Sequence, residues 1–178
     1  MDLLHRRHRI VMDLITFKAL QSSLYFWQVD VKLSQNNCTI NPVPFKELQH
    51  TGDLQYQATG SSKEEMLEES ARALFSTITD LDQIEESKSK KIEVEGDTDE
   101  ELLINFLRTC LDLFNENEFI AKTVSVSLDG DHLIADLKGE KFDLKKHKFG
   151  TEIKAVTYHG ALAKEKNGKW EAVFTLDL

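Results

Sequence analysis

Two stretches of this 178-residue chain carry apolar residues at helical spacing, and each follows a short alternating run that ends in a glycine. The first stripe follows Gly60 and comprises Leu67, Ala71, Leu74, Phe75 and Ile78; the second follows Gly96 and comprises Leu103, Phe106, Leu107, Cys110, Leu111 and Phe114. Spacings of three and four residues place such side chains on one face of a helix. The chain therefore has two helix faces to bury.

Both stripes begin with residues that are typical of a helix start. Residues 61–62 are serines with Glu64 and Glu65 three positions further on, and Thr98 with Glu101 precedes the second stripe. In such a capping box a hydroxyl and a carboxylate accept hydrogen bonds from backbone amides that the helix leaves unpaired. Start signals in front of both stripes favour two separate helices.

The remaining elements are predicted from alternation and turn signals. Leu54, Tyr56 and Ala58 predict a strand before Gly60, and Ile92 and Val94 predict one before Gly96. Between the first helix and this second strand, the segment DLDQIEESKSK is expected to be a charged, exposed linker. Further alternating runs follow residue 123, and Asp129-Gly130 and Asn167-Gly168 are typical two-residue hairpin signals. The predicted class is α+β, with two amphipathic helices packed on one largely antiparallel sheet.

Both prolines of the chain, Pro42 and Pro44, lie in NNCTINPVPF, which interrupts regular structure. We place a domain boundary there, with residues 1–44 as an N-terminal extension and 45–178 as the domain. Within the extension, apolar spacing hints at a helix and then a strand, and the pattern leaves its order open. His5 and His8 in this extension are poor metal-ligand candidates.

Charge and cysteine content exclude several classes of function. The net charge is −9, and residues 1–45 hold five basic and three acidic residues, so the acidic excess lies in the domain. Such a domain repels phosphate backbones, which disfavours stable direct nucleic-acid binding. The two cysteines form no disulfide framework, and no apolar run is long enough to span a membrane. We expect an intracellular, cytoplasmic protein, also nuclear if the source is a eukaryote.

The acidic residues at two strand ends are candidates for a cation site. Asp53 opens the first core strand, and Asp177, with the free carboxylate of Leu178, closes the last one. Carboxylate and carbonyl oxygens are hard ligands that suit Ca²⁺, Mg²⁺ or Mn²⁺. If the two strands are neighbours, their ends form a site for one cation; otherwise both acids are solvated strand ends.

A basic island is the second candidate. The segment KKHKFGTEIKAVTYHG, residues 145–160, carries His147 and four lysines, among them Lys154, in an otherwise acidic domain. It is interpreted either as a solvated loop or as a patch that contacts phosphate or a partner. No nucleophile motif, P-loop or dinucleotide fingerprint is present.

Four blocks in order resemble the archease family. These are HTGDLQY followed by GSSKEEMLEESARALFSTITD, then KIEVEGDTDEELLINFL, GTEIKAVTYHG, and the closing LDL. Together they span roughly residues 45–178. Gly52 stands where the family usually has alanine, which leaves the Asp53 carboxylate in place.

The resemblance implies a protein without catalytic residues that activates an RtcB-type RNA ligase in tRNA splicing. Such a protein promotes guanylylation of the ligase's active-site histidine and multiple turnover. The resemblance also implies a divalent cation on Asp53, Asp177 and Leu178, with Ca²⁺ the ion expected in a crystal and Mg²⁺ or Mn²⁺ as alternatives. Lys154 and His147 are candidates for contacting the ligase or its nucleotide.

Two other classes of function stay open at this point. A stand-alone metal-dependent phosphoester hydrolase would use Asp53 and Asp177 without a partner. A general protein chaperone would expose a sizeable apolar patch.

Overall fold

The structure, a computed structural model, describes residues 45–48 and 53–178. Its strands are β1 (Phe45–Leu48), β2 (Asp53–Gly60), β3 (Lys88–Glu95), β4 (Phe119–Asp129), β5 (His132–Lys141), β6 (Ala155–Lys166) and β7 (Lys169–Asp177). Its α-helices are α1 (Lys63–Ile78) and α2 (Asp99–Asn117), and a short 3-10 helix covers Leu81–Gln83. The helix and strand patterns of residues 10–33, and His5 and His8, lie outside the described residues, as do both prolines and Gly52.

Both predicted helices are confirmed, together with their caps. Every residue of the first apolar stripe is fully buried, and in the second stripe only Phe114 keeps partial exposure. The Ser62 hydroxyl accepts from the Glu65 amide at 3.2 Å, and the Thr98 hydroxyl accepts from the Glu101 amide at 3.1 Å. Apolar periodicity and capping residues were sufficient to predict both helices, because each of these signals acts within a few residues.

The α+β class is confirmed, but the strands form two antiparallel sheets rather than one. The first sheet has the order β1-β2-β7-β6 and the second the order β3-β5-β4. Helix α1 buries nine of its 16 residues and contacts β2 in one sheet and β4 in the other. A helix buried over so wide a face needs apolar partners on more than one side, and two sheets supply them.

Both helices run antiparallel to the first-sheet strands that they cover. Helix α1 starts against Gly60, and near its end the Thr77 hydroxyl lies 3.0 Å from the Tyr56 hydroxyl. Helix α2 has Glu100 accepting from the Ala163 amide in its first turn, and Arg108 donating to the Val156 carbonyl further along. The C-terminal ends of both helices therefore lie at the end of the domain where β2 begins and β7 finishes.

Three local expectations were incomplete. Strand β1 was not predicted, and β3 begins at Lys88, inside the expected linker. Within that linker Ile84 is 1% exposed, so the segment contributes to the core instead of being wholly solvated. At the first hairpin Asp129 pairs with His132, which makes Gly130 and Asp131 the turn residues. Two apolar residues, Leu81 and Ile84, among charges carry too little periodicity to reveal that Ile84 is buried.

Candidate cation and partner site

Asp53 and Asp177 are brought together by strand pairing. Strand β2 pairs antiparallel with β7, and Asp53 lies directly opposite Asp177 in the register. Side chains of directly opposed residues have Cβ atoms about 4.5–5.5 Å apart. The structure therefore meets the condition on which the predicted site depended, that the two strands are neighbours.

Both aspartates lie on the sheet face that is turned away from the helices. Leu54 packs against the core and Leu176 is fully buried, and side chains alternate between the two faces of a strand. Asp53 and Asp177 are partly exposed. Two like charges directly opposite each other destabilise a sheet by up to about 1 kcal/mol. A cation between them would remove that cost.

Lys154 and Leu178 complete this corner. The Lys154 backbone amide donates to the Asp177 carbonyl at 2.8 Å, and its Nζ donates to the main-chain oxygen of Leu178 at 2.5 Å. The Lys154 side chain is otherwise exposed. We refer to Asp53, Asp177, Leu178 and Lys154 as the acidic end, because this corner holds two carboxylates and one ammonium group.

The donor set fits a hard cation that keeps part of its water shell. Within residues 45–48 and 53–178, no three His, Cys, Asp or Glu side chains converge on one point. The acidic end offers two carboxylates and the main-chain oxygen of Leu178, all of them oxygen ligands. Ca²⁺, Mg²⁺ and Mn²⁺ prefer such ligands, and water completes their coordination.

His147 lies inside the protein, away from the surface on which a contact role was predicted. It is 3% exposed, and its Nδ1 accepts from the Asp143 amide at 3.1 Å. Its Nε2 lies 3.4 Å from the Glu140 carboxylate. The predicted contact of His147 with a partner stays a prediction, and in this structure the imidazole closes a turn of the β5–β6 loop.

Glu140 is the carboxylate on which that loop converges. It accepts hydrogen bonds from the Glu85 amide at 2.6 Å and from Lys146 Nζ at 2.9 Å. Burial raises the pKa of Glu140, but the Lys146 and Glu85 hydrogen bonds outweigh it and hold the pKa below its usual value. The sequence offered no signal for this role, since Glu140 is one of many acidic residues in the domain.

The basic island is divided between two places. Lys146 is paired with Glu140 and Glu85, whereas Lys154 lies at the acidic end. In the same β5–β6 loop, Leu144 is 76% exposed and Phe149 is 41% exposed. Neither residue was predicted to be exposed, although a leucine and a phenylalanine in a lysine-rich loop were a readable signal.

Comparison with known proteins identifies the family. A sequence profile of the archease protein family (MTH1598/TM1083) matches residues 45–178. The chain belongs to the archease family. The archease of Methanopyrus kandleri is 35% identical over 141 residues, covering 76% of this chain and all of that protein. The archease-like protein of Drosophila melanogaster is 33% identical over 134 residues, covering 73% of this chain and 86% of the fly protein.

Solved archease structures share the fold. The solution structure of Methanobacterium thermoautotrophicum protein 1598 matches with a TM-score of 0.66 at 27% identity, covering 76% of this chain and 99% of that one. A Thermotoga maritima protein described as an archease and possible chaperone matches with a TM-score of 0.53 at 24% identity, covering 75% of this chain and 96% of that one. No helix among the described residues of this archease is long and apolar enough to cross a membrane.

Proposed function

We propose that this archease is a non-catalytic, cation-binding activator of an RtcB-type RNA ligase in tRNA splicing. It promotes guanylylation of the ligase's active-site histidine and multiple turnover. The observation that carries the proposal is the in-register pair Asp53 and Asp177 beside the exposed Lys154. Membership of the archease family supports the class of partner.

Each residue of the acidic end has a defined part in this proposal. The Asp53 and Asp177 carboxylates and the Leu178 main-chain oxygen would hold one cation, Ca²⁺, Mg²⁺ or Mn²⁺. A cation held there would supply positive charge to the phosphate groups of the ligase's nucleotide, and preorganised charge of this kind lowers the barrier to phosphoryl transfer. Lys154 orients Leu178 through its hydrogen bond and presents its ammonium group to the ligase or the nucleotide.

Two described side chains that could act as nucleophiles, those of Cys110 and His147, are poorly placed for catalysis of their own. Cys110 is fully buried, and burial raises the pKa of its thiol far above the usual range. The imidazole of His147 is enclosed beside Glu140. Both facts support a protein that acts on a partner's active site. We assign His147 to holding the β5–β6 loop, which also carries Lys154.

The acidic charge of the chain supports a protein partner over RNA. With a net charge of −9, the protein repels phosphate backbones at long range, so stable direct RNA binding is not expected. The proposed place of action is the cytoplasm, and also the nucleus if the source is a eukaryote.

Multiple-turnover RNA ligation by an RtcB-type ligase tests the proposal. The assay compares the ligase alone with the ligase plus wild-type protein, Asp53→Asn or Asp129→Asn. Asp129 is an exposed aspartate at the end of β4, so Asp129→Asn makes the same charge change away from the candidate site. We expect stimulation by the wild type and by Asp129→Asn, and none by Asp53→Asn.

Two results would contradict the proposal. Wild-type protein that leaves turnover unchanged would remove the activator function, and full stimulation by Asp53→Asn would remove the cation role. Release of phosphate from a phosphoester by the protein without ligase would favour the hydrolase alternative instead.

A further inference from the structure

An apolar groove lies on the loop that connects β5 with β6. Its volume is about 850 Å³, and its apolar lining is formed by Phe114, Phe142, Leu144 and Phe149. Phe142 contacts both other phenylalanines edge-on, with ring centroids 5.9 Å apart in each pair. Leu144 and Phe149 are two of the three large apolar side chains that are exposed within the described residues.

The turn that presents Leu144 is held rigidly. The Asp143 carbonyl accepts from the Lys146 and His147 amides at 2.9 and 2.8 Å, and the Asp143 side chain accepts from the Lys145 amide at 2.9 Å. The Asp143 amide in turn donates to the buried His147 ring. An apolar side chain on a preorganised turn loses little conformational entropy when a partner covers it.

The charges around the groove favour a protein surface as its occupant. Three acidic and three basic residues line it: Glu118, Glu140 and Asp143, with Lys141, Lys145 and Lys146. Lys141 pairs with Glu118 at 2.8 Å, and Lys146 pairs with Glu140 at 2.9 Å. The groove is thus electrically balanced in a chain of net charge −9. A balanced apolar groove suits apolar side chains and gives a phosphate group no net attraction.

A short stretch of loop links the groove to the acidic end. The Gly150 and Thr151 amides donate to the last carbonyls of α1, at Ile78 and Thr77, and Lys154 then joins β7 through Asp177. Phe149 and Lys154 are five residues apart, so no more than about 18 Å separates them. A standard interface covers about 800 Å² of each partner, a disc roughly 30 Å across. The distance between the two places therefore lies within the span of one standard interface.

We infer that the groove of Phe114, Phe142, Leu144 and Phe149 is a docking site for an apolar segment of the ligase. The inference rests on the proposed function. It divides the protein surface that contacts the ligase into two parts. The groove supplies affinity, and the acidic end acts on the nucleotide site. Loss of groove contacts then weakens binding without changing what the bound activator does.

The test is a titration of activator into the multiple-turnover ligation assay. It uses wild type, Leu144→Asp and Asn167→Asp, and it measures the half-maximal activating concentration and the maximal stimulation separately. Leu144 is 76% exposed, so Leu144→Asp should fold normally, which a thermal melt verifies. Asn167→Asp adds the same charge in the exposed turn between β6 and β7, at the opposite end of the first sheet.

We expect Leu144→Asp to raise the half-maximal concentration about ten-fold or more, as loss of one buried leucine contact implies. Maximal stimulation should equal that of the wild type, and Asn167→Asp should match the wild type in both quantities. A Leu144→Asp curve that overlays the wild-type curve would overturn the inference, and so would a loss of maximal stimulation at unchanged half-maximal concentration.

Other occupants of the groove give their own results. A wild-type dimer in sedimentation that Leu144→Asp dissociates would assign the groove to a second copy of the chain. Suppression of an unrelated client's aggregation that Leu144→Asp abolishes would assign it to a chaperone activity. Either result overturns the inference, and the wild-type protein would still stimulate the ligase. A wild-type protein that does not stimulate the ligase would contradict the proposed function as well.

Discussion

The two ends of the domain differ in how completely the chain pairs its polar groups and buries its apolar side chains. At the end where both helices start, here called the capped end, Ser62 and Thr98 cap the helices. Lys63 pairs with Asp99 there at 2.5 Å. At the acidic end two carboxylates face each other, and the nearby β5–β6 loop exposes Leu144.

We therefore attribute stability mainly to the capped end and function to the acidic end. Local pairing at the capped end stabilises the fold and leaves little for a partner to bind. At the other end the like-charge pair destabilises the sheet and the exposed leucine adds little to the core, so a ligand or a partner is the simplest reason for them. The predictions below test that division.

The largest expected effect is stabilisation by a divalent cation at the acidic end. At about 100 times its Kd, a ligand that binds only the folded protein adds about 2.7 kcal/mol to the free energy of unfolding. Asp53→Asn should remove most of that gain, and Asp129→Asn should keep it. Chemical denaturation with and without Ca²⁺ or Mn²⁺ measures both. Equal gains in wild type and Asp53→Asn would place the cation elsewhere.

Gly60→Ala should strongly destabilise the capped end. An added Cβ would lie 2.4 Å from the Met66 backbone nitrogen, so strand β2 and helix α1 must separate. Such overpacking costs about 1–3 kcal/mol. Stimulation per folded molecule should not change, because the acidic end is intact. A variant of wild-type stability without stimulation would contradict the division between the two ends.

Removing a helix cap should lower stability less than Gly60→Ala does, and it should also leave stimulation unchanged. Thr98→Ala deletes the hydroxyl that accepts from the Glu101 amide, and loss of such a cap costs about 1 kcal/mol. Thr98→Asp restores an acceptor at the cap and serves as the control. Urea unfolding gives the stability, and the ligation assay should show both variants at wild-type maximal stimulation.

Without cation, Asp53→Asn should leave stability unchanged or raise it by up to about 1 kcal/mol. The substitution removes one of two like charges that lie directly opposite each other in the β2–β7 ladder. Unfolding in the presence of a chelator measures the difference. A clear loss of stability would mean that Asp53 has a structural role, and the functional assignment would lose its main support.

Acid should loosen the β5–β6 loop through Glu140. Its folded pKa lies below the ordinary 4.5, so its contribution is fully present above that pH. It is lost as pH falls through the folded pKa, because the protonated carboxyl releases Lys146 and the Glu85 amide. The Glu85 amide resonance should titrate in that window by NMR, and Glu140→Gln should abolish the titration.

Local signals allowed much of the fold to be predicted. Both helices, their caps and the alternating strands were readable because periodicity and capping act over a few residues. The strand-end positions of Asp53 and Asp177 could be predicted in the same way, and family resemblance proposed a shared cation for them. That assignment remains a proposal, since the chemistry of oxygen ligands alone also allowed two solvated acids.

Only the tertiary structure decided which elements meet. The pairing of Asp53 with Asp177 joins positions 124 residues apart in the chain, and the division into two sheets follows from such long-range pairing. Burial of Ile84 and His147 and exposure of Leu144 were decided in the same way. A sequence pattern specifies which face of an element is apolar, whereas the surface that covers this face depends on how all the elements pack together.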